Sequence, residues 1–371
     1  MAYLGEDIPK LGFGLMRLPR LEDKSPDLEQ IKQMVDTFLA AGLTYFDTAR
    51  AYNDSEETIR KALVERYPRD AFQIATKNAC WGGAKDRQEA RDMFKTSLEN
   101  LGVDYVDYYL LHNIGDARTA YFDKWDMWDY VLELKAKGLA KHVGFSFHDN
   151  ADLLRELLIK HPEMEFVQLQ VNYVDWDDLS IQSRRCMEVS AEFEKPVIVM
   201  EPVRGGALAD PLPAVKEILA EAGTGATPAD WALRFVWEKP NLITVLSGMS
   251  TLEQVKQNIA SLESFKPFTD EERRILARAQ EAYAQQKAVP CTNCHYCMDD
   301  CPIGMNIPGI MQALNRADAF SVKNGRLGYG FNTKGSAKAS ECLQCGNCEA
   351  VCPQHIDIIE QLERAAELFG E

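Results

Sequence analysis

Eight of the chain's ten cysteines fall between Cys291 and Cys352, and their spacing carries the plainest chemistry in the sequence. Cys291, Cys294, Cys297 and Cys301 are separated by two, two and three residues and followed by Pro302. Cys342, Cys345, Cys348 and Cys352 repeat that spacing and are followed by Pro353. Disulfide frameworks belong to small secreted domains, whereas clustered cysteines in an intracellular chain point to metal. Each run supplies the four thiolates that a cubane 4Fe–4S cluster requires. In such a pair of runs the first three cysteines wrap one cluster and the fourth reaches across to the other. One cluster is therefore expected on Cys291, Cys294, Cys297 and Cys352, and the other on Cys342, Cys345, Cys348 and Cys301. Two four-cysteine zinc sites are the competing reading, but those usually combine separated Cys-x-x-Cys pairs. His295 and His355 lie in the same region and are expected to pack or hydrogen-bond, because the thiolate count is already complete.

A second constellation lies upstream, where four polar residues stand at or just beyond the ends of successive apolar runs. Asp47 and Tyr52 belong to Tyr-Phe-Asp-Thr-Ala-Arg-Ala-Tyr, Lys77 ends Ala-Thr-Lys, and His112 follows Leu-Leu. One such residue alone reads as a solvated strand cap; four in order read as a site. Trp81, just past Lys77, suits either a substrate pocket or ordinary packing at the rim. Cys80 beside it is expected to be a buried, inert thiol rather than a reactive one.

These residues need elements to hold them. Strands are expected at Leu43–Asp47, Phe72–Lys77, Tyr105–His112, His142–Ser146, Phe166–Val171, Pro196–Met200 and Leu242–Ser247. Several are almost wholly apolar, as parallel strands covered on both faces must be. Amphipathic helices are expected at Leu28–Ala41, Ser55–Arg66, Asp86–Leu101, Trp125–Lys137, Ala151–Lys160 and Thr251–Leu262. With a Gly-rich first strand at Gly12-Phe13-Gly14, eight βα units result, so the α/β class and a (β/α)8 TIM barrel are expected. Catalytic groups of such barrels occupy the C-terminal ends of the strands, where the four polar residues lie. A doubly wound sheet would carry a Gly-x-Gly-x-x-Gly turn after its first strand, and none is present. A charged helix at Thr269–Gln286 and the break at Val289-Pro290 put the domain boundary there: barrel over 1–286, a small, mainly α-helical domain over 287–371, with a helix at Ile307–Ala317.

The 371 residues suffice for a barrel of about 250 residues and a smaller second domain. A net charge of −16 argues against nucleic acid and anionic membrane as partners, since both require a basic face. The first ten residues lack the basic run and apolar core of a signal peptide, and no apolar stretch is long enough to span a membrane. A cytoplasmic location is expected.

The cysteine runs resemble those of bacterial two-cluster ferredoxins, and residues Leu11 to Asn258 resemble the aldo-keto reductases. That second resemblance implies carbonyl reduction, or the reverse alcohol oxidation, with NADP or NAD. It assigns Tyr52 as general acid, Lys77, held by Asp47, as the cation that lowers its pKa, and His112 as the group that orients the carbonyl. It also implies a cofactor groove formed by Gly14, Met16, Ser146, Gln170, Met200, Arg204, Ser247, Gly248, Met249, Gln254 and Asn258. The sequence departs from the family pattern at Phe147 and Met200, and at Gly248 and Gln254, where basic residues often hold the 2′-phosphate of NADP. A small carbonyl or alcohol compound is the implied substrate.

The whole resembles aldo-keto reductases with a C-terminal 4Fe–4S domain. Hydride transfer moves two electrons and each cluster moves one; a flavin usually stands between, and no flavin fingerprint occurs here. Three readings stay open. The clusters wire the barrel to an external electron-transfer partner such as a flavoprotein, or they only stabilise or dock, or the barrel is a dormant nucleotide-sensing module.

Overall fold

The computed structural model describes residues 3–179, 181–285, 289–291, 293, 295–352 and 354–370. Eight parallel strands close into a barrel in chain order: β1 (Gly12–Gly14), β2 (Tyr45–Asp47), β3 (Gln73–Asn78), β4 (Val106–Ile114), β5 (Ala140–Phe147), β6 (Phe166–Gln170), β7 (Val197–Met200) and β8 (Leu242–Ser247). β8 pairs with β1 to complete the ring.

Strand periodicity explains the interior. Tyr45, Ala75, Tyr108, Leu110, Phe166 and Ile198 form one buried cluster, with Ile8 packed among them. Alternate residues of a strand share a face, so Asp47, Lys77 and His112, two positions beyond Tyr45, Ala75 and Leu110, share the barrel-facing side at the strands' C-terminal ends. The intervening positions face the helices. Phe13, Phe38 and Phe46 pack there with ring centroids 5.3 to 6.0 Å apart. Phe38 belongs to the helix Leu28–Ala40, which buries Ile31, Met34, Val35 and Phe38 at the spacing of one helical face. The Asp27 side chain accepts from the Gln30 N–H and caps this helix. Gly144 in β5 is required by packing, because a Cβ there would lie 2.4 Å from the Phe166 carbonyl oxygen.

The helices expected from periodicity are present within a residue or two at most ends. Met127–Ala136 starts later than expected because Trp125 closes the preceding helix, Asp116–Lys124. That preceding helix lacks an apolar stripe, so periodicity does not reveal it. Pro228–Trp237 buries Trp231, Ala232, Leu233, Phe235, Val236 and Trp237 and keeps Asp230 and Arg234 partly exposed.

Contacts group residues Met1–Gly206 and Ala229–Pro267 into one unit, and Ala207–Pro228 with Phe268–Glu371 into a second. In the second, the helix Asp270–Gln285 packs on Pro213–Ala220, and Arg278 pairs with Glu221. The helix Ile307–Ala319 crosses Val322–Asn332 at Gly325, where a Cβ would come within 2.6 Å of the Ala317 methyl. Val289 is buried, and Asn315 holds both its N–H and its carbonyl. Among the described residues, no helix is long and apolar enough to cross a membrane.

Candidate functional site

The ends of β2, β3 and β4 bring the four upstream residues together. Lys77 Nζ donates to Asp47 Oδ1 over 2.5 Å and to the Thr48 carbonyl over 2.7 Å. Its ammonium also stands 4.9 Å from the centroid of the Tyr52 ring. Tyr52 meets His112 edge-on, with centroids 5.5 Å apart. Lys77, Asp47 and His112 are buried, and Tyr52 is half-buried. The Tyr52 position depends on the loop after β2, where its N–H bonds the Ala49 carbonyl.

Burial decides the electrostatics. It opposes the charged Lys77, but Asp47 and Tyr52 outweigh it and the ammonium pKa is raised. Burial raises the Asp47 carboxyl against the pull of Lys77. Lys77 lowers the Tyr52 pKa, in the direction the family resemblance implies, yet burial is stronger, and the phenol lies above its ordinary value of 10.0. Burial, helped by Lys77, His148 and Arg118, drives His112 well below 6.5, so its imidazole is neutral. Among the described residues, His112 Nδ1 is enclosed without a hydrogen-bond partner.

The residues around this centre are cross-linked. Trp81 Nε1 donates to the His112 carbonyl over 2.7 Å, and its ring lies 5.9 Å from the His112 ring. Asn113, with a left-handed φ of 60°, donates its N–H to Ser146 Oγ over 2.7 Å. Cys80 is buried, and its thiol is pushed up to about 12, so it is not a nucleophile at neutral pH.

The other groove positions fall at the same end of the barrel. Gly14 closes β1 opposite Asp47 and abuts Ser247 and Gly248. Met16 is exposed on the turn that follows. Gln170 and Met200 end β6 and β7. Gln170 Nε2 donates to Asp175 Oδ2 over 2.7 Å, and Asn172 Nδ2 does the same. Arg204 pairs with the same carboxylate at 3.1 Å. Burial opposes the Asp175 charge, but Arg204 and the two amides outweigh it and hold the carboxyl below its ordinary range. Sequence reasoning misses Asp175, since no periodicity marks the loop that carries it. Asn258 donates to Ser247 Oγ over 2.7 Å, Gln254 accepts from the Ser250 N–H, and Met249 is buried. At Gly206 and Gly248 a Cβ would meet nothing within 4 Å.

In the second unit the thiols line two cavities. One is bordered by Cys301, Cys342, Cys345 and Cys348 among Met305, Ile307 and Leu362. The other is bordered by Cys291, Cys297 and Cys352 among Ile307, Met311 and Ile356. Cys294 and Pro353 lie outside the described residues. Each cavity thus takes the fourth cysteine of the opposite run. The backbone N–H groups of Met305 and Gln344 point at Cys301 and Cys342 sulfur at 3.5 and 3.4 Å. Among the described residues no three His, Cys, Asp or Glu side chains gather closely enough to share one metal ion; the sulfurs stand around the cavities instead.

Comparison with known proteins agrees with this architecture. Residues 10–281 match the Aldo/keto reductase family, and residues 290–357 match the 4Fe-4S dicluster domain. An aldo-keto reductase of Mycolicibacterium vanbaalenii is 30% identical over 253 residues, which cover 68% of this chain and 82% of that protein. Aldo-keto reductase AKR11C1 from Bacillus halodurans, in its holo form, superposes with a TM-score of 0.58 at 27% identity, covering 73% of this chain and 91% of that one. An aldo/keto reductase of Klebsiella pneumoniae solved with NADP and acetate shares the fold, with a TM-score of 0.58 at 24% identity over 73% of this chain and 91% of that one. With the family match spanning well over half of its residues, the chain belongs to the aldo/keto reductase family and carries a 4Fe-4S dicluster domain towards its C-terminal end.

Proposed function

We propose that the barrel reduces small carbonyl compounds, or oxidises the corresponding alcohols, with NADP or NAD, and that the C-terminal thiols hold two 4Fe–4S clusters linking it to one-electron transfer. The observation carrying the first part is the convergence of Tyr52, Lys77, Asp47 and His112 at one end of the barrel.

The nicotinamide supplies or accepts the hydride. The chain's own part is proton transfer and orientation. Tyr52, kept protonated by burial, gives its proton to the carbonyl oxygen, and Lys77 stabilises the phenolate that remains. Asp47 holds Lys77 in place and balances its charge. A neutral His112 orients the carbonyl by donating one N–H without adding a cation to the site. Ser146, Gln170 and Met200, at the ends of β5, β6 and β7, are the groups that would meet the dinucleotide.

The cluster part is supported by the two thiol-lined cavities, the sharing of cysteines between runs and the amides aimed at sulfur, an environment that favours thiolate ligands. One observation favours a structural role as a second reading: Cys297 and Cys348 sit in the hydrophobic core of their unit, and Ile307 lines both cavities.

The test is anaerobic purification, iron and sulfide analysis, and nicotinamide oxidation with a panel of aldehydes and ketones. About eight irons per chain are expected from two four-iron clusters. Bleaching of the clusters by reduced nicotinamide, directly or through added flavin, supports the electron-transfer link. Full iron without bleaching favours the structural reading, and zinc in place of iron refutes the clusters.

A further inference from the structure

Arg118 lies on the helix Asp116–Lys124, which follows β4. Its guanidinium carbon stands 4.9 Å from the centroid of the Trp81 ring, and Nη1 donates to Asn113 Oδ1 over 3.1 Å. Trp81 is the residue already bonded to the His112 carbonyl, so His112 and Arg118 both touch one indole ring. Lys77 has Asp47, Arg204 has Asp175 and Arg69 has Asp107 as acid partners. Among the described residues no carboxylate pairs with Arg118. Burial alone pulls its pKa down.

A guanidinium stacked on an indole uses its face, while its N–H donors lie in its plane. One edge is spent on Asn113. We propose that Arg118, seated on Trp81, binds a carboxylate carried by the carbonyl substrate, so that oxo acids and their hydroxy-acid counterparts are the substrate class. A single planar fork matches the two coplanar oxygens of a carboxylate. The inference rests on the carbonyl-oxidoreductase reading and names the second group its substrate carries.

Two measurements on the full-length holoprotein test it. The first compares kcat/KM for succinic semialdehyde against butanal, and for 4-carboxybenzaldehyde against 4-methylbenzaldehyde. The charged member of at least one pair is expected to be preferred, and Arg118→Gln to shrink that ratio by about 10- to 100-fold, the worth of one hydrogen bond to a charged group. A wild-type ratio near one in both pairs, or a ratio that survives in Arg118→Gln, overturns the proposal. The second measurement needs no turnover: benzoate and inorganic phosphate are titrated separately while tryptophan fluorescence is followed. Saturable benzoate binding that disappears in Arg118→Gln supports the carboxylate subsite, and binding of phosphate but not benzoate overturns it. Arg118-dependent benzoate binding without turnover of any aldehyde would sink the reductase reading and keep the subsite. Turnover without charge preference or benzoate binding would do the reverse.

Discussion

Lys77 and Asp47 form an ion pair 2.5 Å long with side-chain exposures of only 1% and 4%. Two charges so enclosed are stable only as a pair, because removing one leaves the other desolvated and uncompensated. Asp47→Asn is therefore expected to destabilise the barrel by about 3–5 kcal/mol, read as a lower urea midpoint with an unchanged slope. An Asp47→Asn protein as stable as the wild type would show that the pair is not ionised.

Tyr52 is half-buried and bonds through its backbone to the loop after β2, so its hydroxyl is removable at small structural cost. Tyr52→Phe is expected to lower kcat by about 10²- to 10⁴-fold, the range for loss of a positioned general acid. The thermal midpoint should stay near that of the wild type. Retained turnover would assign the proton to another donor.

His112 gives a pH prediction whose sign follows from its depressed pKa. Above pH 6.5 the imidazole is neutral in folded and unfolded chains alike, and it adds no pH dependence. Below 6.5 the unfolded chain takes up a proton that the folded one refuses, so stability falls as pH drops towards the depressed native value. The slope from this residue reaches about 1.4 kcal/mol per pH unit. Urea melts at pH 7.0, 6.0 and 5.0 should show a shallower decline in His112→Asn than in the wild type. Parallel declines would mean that His112 titrates normally.

Gly144 faces the Phe166 carbonyl and ring at 2.4 and 2.9 Å from where a Cβ would stand. The contact at 2.4 Å is with backbone and cannot be relieved by a side-chain turn. Gly144→Ala should cost about 1–3 kcal/mol, as overpacking does, with β5 and its Ser146 displaced. A denaturation midpoint equal to the wild type would show that the strands yield freely there.

The sharing of cysteines between the two runs predicts which lesions coincide. Cys301 borders the cavity of Cys342, Cys345 and Cys348. Cys301→Ser and Cys345→Ser should each lose about four of some eight irons, and the double variant no more than either single, because all three damage one four-iron cluster. Loss of nearly all iron in the double variant alone would place the two residues on different clusters.

Much of this protein is legible in its residues. Strand alternation alone puts Asp47, Lys77 and His112 on one face, because period two is a local property of the chain. The cysteine spacing names the chemistry of the C-terminal region for the same reason: ligands two and three residues apart are constrained by the chain itself. Other features depend on atoms brought together from distant segments. Lys77 does lower the Tyr52 pKa, yet burial wins, and burial is a property of the closed barrel rather than of the motif. Gln170 and Arg204, expected in the groove, both turn to Asp175, which no local pattern announces. Arg118 sits on a helix without an apolar stripe, and only the fold sets it on Trp81 beside His112. Residue types and spacing by themselves determined which groups could do chemistry; enclosure, which needs the tertiary structure, decided their charge states and partners.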